Sequence, residues 1–139
     1  MKYYQTRIDK IPGTDLKEVF KRAKSIYDSI CPKKKRRAHV RSKYFKKQKI
    51  FLGLFWHHID DKLNRRDKIR RLKYFSCAID LIMNSSNEPN SIKENPHKSS
   101  EILYRFTGMT KNQEIFHVQI KEDIQSGEKF LISVFPITH

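Results

Sequence analysis

The chain has 139 residues, a length that fits one domain built around one hydrophobic core. It carries 30 Lys and Arg against 15 Asp and Glu, a formal net charge of +15 at pH 7. No apolar run approaches the roughly 20 residues that a membrane helix requires, and the first ten residues lack the apolar centre of a signal peptide. Residues 1–73 hold 24 basic against 7 acidic side chains, whereas residues 74–139 hold 6 against 8. This asymmetry favours a polyanionic partner, nucleic acid rather than a membrane surface.

The first predicted helix follows a polar lead-in. Residues 1–13 end in Pro12-Gly13 and are expected to be loosely ordered. Asp15 is a helix cap with Glu18 at the reciprocal position, and Pro32 ends the helix. Its apolar stripe is interpreted as a packing face and consists of Leu16, Val19, Phe20, Ala23, Ile26, Tyr27 and Ile30.

The segment 33–49 contains ten basic residues and no acidic one. A solvated, locally disordered run is one interpretation, and a nuclear address is another. Val40, Tyr44 and Phe45 are interleaved with the charges, a pattern typical of backbone contacts combined with base stacking on single strands. The pattern therefore also predicts nucleic-acid contact here.

Two further helices are expected before residue 85. The run 50–63 is apolar nearly all round at first, so helix and buried strand compete, and its length favours helix. His57 and His58 are adjacent, point about 100° apart on a helix and cannot hold one ion together. A helix from Asn64 or Asp67 to about Asn84 has basic residues near its start, where they oppose the helix dipole, so phosphate binding is a competing explanation for them. These residues are Arg65, Arg66, Arg70, Arg71 and Lys73.

Residues 85–100 are rich in Ser, Asn and Pro and predict a loop. Residues 101–136 then form three apolar runs with hairpin-length connections at Gly108–Asn112 and Asp123–Gly127, which predict an antiparallel meander. Its even positions are apolar and form one face: Ile102, Tyr104, Phe106, Phe116, Val118, Ile120, Phe130, Ile132 and Val134.

The expected register of the meander keeps odd-numbered residues opposite odd-numbered residues. In the first hairpin we expect Thr107 opposite Ile115, which places Arg105 opposite His117 and Leu103 opposite Gln119. In the second hairpin we expect Lys121 opposite Leu131 and Gln119 opposite Ser133. The odd face would then gather a polar group made of Arg105, His117, Gln119, Lys121 and Ser133.

The fold predicted from these elements is α+β, with a basic helical part at 14–84 packed on the even face of an antiparallel sheet at 101–136, in a single domain from 14 to 139. Cys31 and Cys77 lie far apart without a metal-binding spacing and are expected to be free thiols in a reducing cytoplasm. The sequence has no clustered carboxylates, no Gly-rich phosphate loop and no HExxH motif, so neither a metal nor a cofactor is expected.

A basic protein without a metal can still cleave RNA. The nucleophile is the substrate's own 2′-hydroxyl, and the protein supplies a base, an acid and fixed cations. Arg105, Lys121 and Ser133, flanked by Arg71 or by the His39, Arg41 and Lys43 segment, are suitable types, and His117 titrates near neutral pH. The competing interpretation is that these side chains form the solvent face of a half-exposed sheet.

The order of helices followed by a meander resembles the barnase/EndoU/colicin/RelE group of small metal-independent ribonucleases, in particular its phage and bacterial members. The segments that carry the resemblance are HVRSKYFKKQKIFLGLFWHHI (39–59), RRLKYFSCAIDLI (70–82), EILYRFTGMTKNQEIFHVQIKED (101–123) and KFLISVFP (129–136). They exclude the first predicted helix.

The resemblance implies RNA cleavage, often by a toxin, with an acidic antitoxin or immunity protein as a further partner. The positions that it places in the site are Arg105, Gln119, Lys121 and Ser133, with Arg71, His39, Arg41 and Lys43 upstream. Members of the group differ in the group that moves the proton, so the general base does not carry over. His117 and Tyr44 remain the candidates for it.

The sequence therefore predicts a cytoplasmic, metal-independent endoribonuclease. The expected catalytic residues are Arg105, His117, Lys121, Ser133 and Arg71, and the expected substrate-binding residues are His39, Arg41, Lys43, Tyr44, Arg70, Lys73 and Gln119. Two alternatives stay open: a non-catalytic nucleic-acid-binding module, and a toxin-like protein that acts through a protein or ribosome partner.

Overall fold

A computed structural model describes residues 3–30, 37–59 and 64–137 of the chain. The expected helix stop at Pro32, the basic residues 33–36 and the predicted helix end at Leu63 lie outside these ranges. The elements in chain order are β1 (Tyr4–Gln5), α1 (Leu16–Ile30), β2 (His39–Ser42), β3 (Gln48–Phe51), α2 (Gly53–Ile59), α3 (Arg65–Lys73), α4 (Phe75–Asn84), β4 (Ser91–Asn95), β5 (Lys98–Met109), β6 (Ile115–Asp123) and β7 (Lys129–Pro136). No helix within these ranges is long and apolar enough to cross a bilayer.

The predicted α+β class is confirmed, but the predicted architecture is wrong in two respects. The sheet is mixed rather than purely antiparallel, because β1 pairs with β5 and β3 pairs with β7 in parallel. The helices are also interleaved with β1, β2 and β3, so they do not form a separate N-terminal half. In the described chain the strand order is β1-β5-β6-β7-β3-β2, and β4 also pairs with β5.

The central β5–β6–β7 meander was predicted from its alternating pattern, and it is present. Its even face is covered by α4, whose residues from Cys77 to Ile82 are all buried. The covering helix lies so close that a Cβ atom built on Gly108 would be 2.7 Å from Leu81 Cδ1. Phe116 and Val118 on the same face are fully buried.

The register of the first hairpin differs from the expected one by two residues. Met109 lies opposite Ile115, so Arg105 faces Gln119 rather than His117. Gly108 and Met109 continue β5 instead of belonging to the turn. Because the shift is even, every side chain keeps its predicted face.

The register of the second hairpin contains a β-bulge. Gln119 lies opposite Ser133 as predicted, but Ile120 lies opposite Leu131 because the register shifts between Gln119 and Ile120. The bulge exchanges the two faces of the first half of β7. Leu131 and Lys129 are therefore buried, whereas Phe130 is only half-buried and faces away from α4.

Three segments before the meander differ from the sequence-based prediction. The run 50–63 is divided between β3 and α2, since Ile50 continues the sheet between β2 and β7. The long helix expected to end near Asn84 is two helices, with Tyr74 ending α3 and starting α4. The predicted loop 85–100 contains β4, whose middle three residues are exposed, so its sequence carries no apolar signal.

The start of the chain is more ordered than expected. β1 adds a short parallel strand to β5, and the buried carboxylate of Asp80 accepts hydrogen bonds from the Tyr4 hydroxyl at 2.8 Å and the Arg7 amide at 2.7 Å. Burial, together with this contact, raises the pKa of Tyr4 to about 12. The predicted cap of α1 is confirmed, since Asp15 accepts from the Glu18 amide at 3.3 Å.

Candidate functional site

The face of the meander that points away from α4 carries three cross-strand rows of half-buried side chains. Paired residues of antiparallel strands lie on one face, so the rows follow from the register. Their members are Arg105, Gln119 and Ser133 in the middle row, Thr107, His117 and Phe135 on one side of it, and Leu103, Lys121 and Phe130 on the other side. Adjacent rows are about 7 Å apart along a strand.

An arginine from outside the sheet reaches the middle row. Arg71 on α3 donates from Nη1 to the hydroxyl oxygen of Ser133 at 2.8 Å. The guanidinium carbons of Arg71 and Arg105 each lie 5.6 Å from the centre of the Phe135 ring. We call Arg71, Arg105, His117, Ser133 and Phe135 the arginine site.

The two guanidiniums of the arginine site have no carboxylate partner among the described residues. Arg105 Nε is also buried without a hydrogen-bond acceptor in that part of the chain. A cleft of about 200 Å³ opens beside Arg71 and Phe135, lined in addition by Asp67, Arg70 and Pro136. Arg71 lines this cleft and Arg105 lies behind Phe135, so the two cations without a carboxylate partner flank the same ring and are suited to an anionic ligand.

His117 lies in the row next to the middle one. Its Nδ1 is 3.0 Å from the Thr107 hydroxyl, and its ring centre is 5.3 Å from that of Phe135. Burial lowers the pKa of His117, and the positive charge of Arg105 lowers it further. The imidazole is therefore neutral at pH 7, the form that accepts a proton.

Lys121 lies on the same face but is held by a carboxylate. Its Nζ is 3.1 Å from Glu101 Oε2 and 5.4 Å from the centre of the Phe130 ring. Glu101 also accepts from Asn95 Nδ2 at 2.9 Å. Burial raises the pKa of Glu101, but the hydrogen bonds from Asn95 and Lys121 and the nearby charges of Lys121 and Lys98 outweigh it, so the net pKa is lowered.

Two of the predicted binding residues lie near the arginine site and one does not. Gln119 stands between Arg105 and Ser133 in the middle row. Arg70 lines the cleft and lies 3.6 Å from the Asp67 carboxylate. Lys73 instead donates to the Gly13 carbonyl at 2.7 Å.

The other predicted binding residues lie on the β2–β3 hairpin, which the structure does not bring to the arginine site. Arg41 is exposed and donates to the Lys47 carbonyl at 2.9 Å, and Lys43 is exposed beside it. His39 contacts the Phe51 ring at 5.9 Å. Tyr44, the second candidate for the general base, packs 5.3 Å from Phe106 on the core side of the sheet.

Sequence reasoning missed Phe135, Thr107 and Glu101. Phe135 shares the parity of Ser133 two residues away, so its face followed from the predicted alternation, but an aromatic side chain was not considered as a platform between two arginines. Glu101 begins the predicted meander, and no sequence pattern marks it as a site residue. Its burial depends on Asn95 of β4, a strand that the sequence does not signal.

Comparisons of the chain with protein-family models, with curated proteins and with solved structures give no match. Within the ranges that the structure describes, no three or more His, Cys, Asp or Glu side chains are placed so that they could hold a metal ion.

Proposed function

We propose that this chain is a metal-independent endoribonuclease whose active centre is the arginine site. The observation that carries the proposal is the convergence of Arg71 and Arg105 on the Phe135 ring, with no carboxylate paired to either among the described residues. A guanidinium donates paired N–H bonds to phosphate oxygens and keeps its charge at any working pH. A phosphodiester beside Ser133 would meet both cations.

In the proposed reaction, the 2′-hydroxyl oxygen of the RNA attacks the neighbouring phosphorus. The neutral imidazole of His117 takes the hydroxyl proton. The bond between phosphorus and the 5′ oxygen breaks, and the ammonium group of Lys121, once released from Glu101, donates a proton to that oxygen. The products are a 2′,3′-cyclic phosphate end and a 5′-hydroxyl end.

The charge that develops on the phosphorane oxygens is stabilised by fixed donors. Arg71 and Arg105 supply permanent cations, and the Ser133 hydroxyl, whose oxygen accepts from Arg71, is left free to donate its proton to a phosphoryl oxygen. Removal of one such donor typically costs about 10²–10³-fold in rate. The half-buried position of this row supports the proposal, because donors in a partly dry site act more strongly than donors in water.

The experiment that tests the proposal is incubation of purified protein with RNA in EDTA, followed by quantification of 2′,3′-cyclic phosphate ends. We expect cleavage by the wild type, about 10²–10⁴-fold slower cleavage by His117→Ala, and about 10²–10³-fold slower cleavage by Arg105→Gln. The matched control is Arg22→Gln, an equal change of charge at an exposed residue of α1 that pairs with Glu18. It should cleave within twofold of the wild type.

Three results would contradict the proposal. Equal cleavage by the wild type and by His117→Ala would place the activity elsewhere. Intact RNA after long incubation, with binding that Arg105→Gln weakens, would favour the non-catalytic nucleic-acid module. Growth arrest of a bacterial host that persists with both variants would instead favour a protein or ribosome partner.

A further inference from the structure

The turn of the β2–β3 hairpin presents an exposed group of cations outside the arginine site. Its members are Arg41, Lys43, Lys46, Lys47 and Lys49. None of them is paired with a carboxylate in the described part of the chain. We call these five residues the hairpin patch. Like charges held together on a short turn repel one another, so stability does not explain their concentration.

The backbone of this turn is a second, independent observation. Lys46 and Lys47 adopt φ angles of 56° and 68°, the left-handed region that favours Gly, Asn and Asp. Lysine at both positions is less favourable than Asn for the backbone. A locally strained conformation that carries two exposed charges indicates that the charges serve binding.

The aromatic residues of the turn narrow the class of partner. Tyr44 and Phe45 pack 4.9 Å from each other, and Phe45 lies 5.0 Å from the Tyr104 ring beneath the turn. Because the ring of Phe45 is also covered by Lys129 Nζ at 5.0 Å, these aromatic groups are engaged within the fold. The hairpin patch therefore offers charge without stacking surfaces for bases and without apolar anchors for a membrane.

The position of the hairpin patch sets the size of the ligand. β3 runs parallel to β7, with Ile50 opposite Lys129, so the turn before β3 and Ser133 in β7 extend in opposite directions from this pair. The turn itself packs on the α4 side of the sheet, where the Lys43 amide donates to the Ile82 carbonyl at 3.0 Å and the Tyr44 ring lies 5.3 Å from the Phe106 ring. It therefore lies on the side of the sheet opposite the arginine site. An RNA strand that contacts both groups of cations must pass around an edge of the sheet, and a dinucleotide is too short to do so.

We propose that the hairpin patch is an exosite for the phosphate backbone of RNA, binding a segment several nucleotides away from the phosphate held at the arginine site. This inference deepens the proposed function and rests on it for the position of the cleaved bond. It makes the preferred substrate a long RNA rather than a dinucleotide. It also makes binding at the patch independent of sequence, since phosphate contacts carry no base information.

The test is a triple variant that removes charge without straining the turn: Lys46→Asn, Lys47→Asn and Lys49→Gln. Asn tolerates the left-handed conformation, so the variant should fold at least as well as the wild type. The matched control removes the same charge at three exposed lysines outside the hairpin: Lys17→Gln, Lys21→Gln and Lys111→Gln. Binding is measured by fluorescence anisotropy with a 20-nucleotide DNA strand, which lacks the 2′-hydroxyl and stays intact.

Each phosphate neutralised on a single strand contributes about −0.7 to the slope of log K against log salt. Loss of three lysines should therefore make this slope shallower by about 2. If the plots for the wild type and the variant meet near 1 M salt, binding at 0.1 M salt should be roughly a hundredfold weaker in the variant. Cleavage of a dinucleoside monophosphate should keep its KM and kcat. Cleavage of a 20-nucleotide RNA should show a raised KM with little change in kcat.

An unchanged affinity in the hairpin variant, or an equal loss in the control, would overturn the exosite. Binding of the protein to anionic phospholipid vesicles that the DNA strand does not displace would also overturn the exosite. The two proposals fail separately. A wild type that binds the strand through the hairpin but cleaves nothing removes the nuclease and keeps the exosite. A wild type that cleaves RNA, together with a hairpin variant whose KM on long RNA is unchanged, removes the exosite and keeps the nuclease.

Discussion

Replacing Gly108 with alanine should destabilise the protein, because β5 and α4 approach each other too closely there for a methyl group. A Cβ atom at this position would lie 2.7 Å from Leu81 Cδ1, 2.7 Å from Phe116 Cζ and 3.0 Å from Phe116 Cε1. Carbon atoms in contact are normally about 3.5–4.0 Å apart. Leu81 can rotate away, but the Phe116 ring is fully buried and packs 5.7 Å from the Tyr74 ring.

The size of the effect follows from two opposing contributions. Overpacking of a filled core costs about 1–3 kcal/mol, and the rigid ring places Gly108→Ala in the middle of that range or above. Alanine returns about 0.5 kcal/mol, since it loses less backbone entropy on folding than glycine. The net loss is therefore about 1.5 kcal/mol. For 139 residues at about 2.1 cal/mol/K per residue, this lowers Tm by about 5 °C.

The assay is thermal and urea unfolding of Gly108→Ala beside Gly53→Ala. Gly53 begins α2, and a Cβ atom there would have no neighbour within 4 Å, so the control should be as stable as the wild type or slightly more stable. Equal unfolding midpoints for the two variants would refute the reasoning. It would mean that α4 does not lie against the even face of β5 and β6 at this distance.

Two further predictions concern pH. Arg105→Gln removes a positive charge beside His117, so the pKa of His117 should rise toward its ordinary value, as measured by NMR titration of the imidazole. Glu101→Gln removes a carboxylate whose pKa is lowered by Asn95 and Lys121 despite its burial. A carboxyl group whose pKa is lowered in the folded state stabilises the fold at pH values above its ordinary pKa. This stabilisation is lost as pH falls through the folded-state pKa. The variant should therefore be less stable than the wild type by about 1–3 kcal/mol at pH 7, and the two should converge in acid.

Controls separate these effects from general changes of charge. Arg41→Gln removes a cation on the distant hairpin and should leave the titration of His117 unchanged. Glu88→Gln removes an exposed carboxylate in the segment after α4 and should leave acid stability as in the wild type. An unchanged His117 titration in Arg105→Gln would contradict the placement of the two side chains in adjacent rows. A constant stability difference from pH 7 to pH 3 would contradict the account of Glu101.

The meander could be predicted because each of its strands has a local sequence signal, the alternation of apolar and polar residues. Alternation over 102–107 and 115–120 fixes which side chains of β5 and β6 share a face, and an even shift of register preserves that assignment. The pairing of Gln119 with Ser133 was also predicted, although alternation fixes a register only to within an even number of residues. The bulge beside it could not be predicted, since it buries Lys129, a charged residue whose partners are not its neighbours in the sequence. Its Nζ donates to Gln48 Oε1 at 2.6 Å and lies 3.8 Å from Glu122.

Edge strands were missed for a physical reason. β4 has a polar sequence because its side chains face water, and its order comes from hydrogen bonds to β5 rather than from an apolar face. β1 has only two residues and is held by the Asp80 carboxylate, a group that the sequence places on a helix 76 residues away from Tyr4. Long-range polar contacts of this kind leave no period in the sequence.

The arginine site could be predicted only in part, because it combines residues of one sheet face with a residue of α3. Parity placed Arg105, Gln119 and Ser133 on one face, but only the packing of α3 beside β7 brings Arg71 to Ser133 and Phe135. That packing depends on the end of α3 at Tyr74, which the sequence-based prediction continued into one helix. An uninterrupted helix would carry the chain past β7 in a straight line. The break at Tyr74 is therefore what allows α4 to cover the even face while α3 supplies its arginine to the odd one.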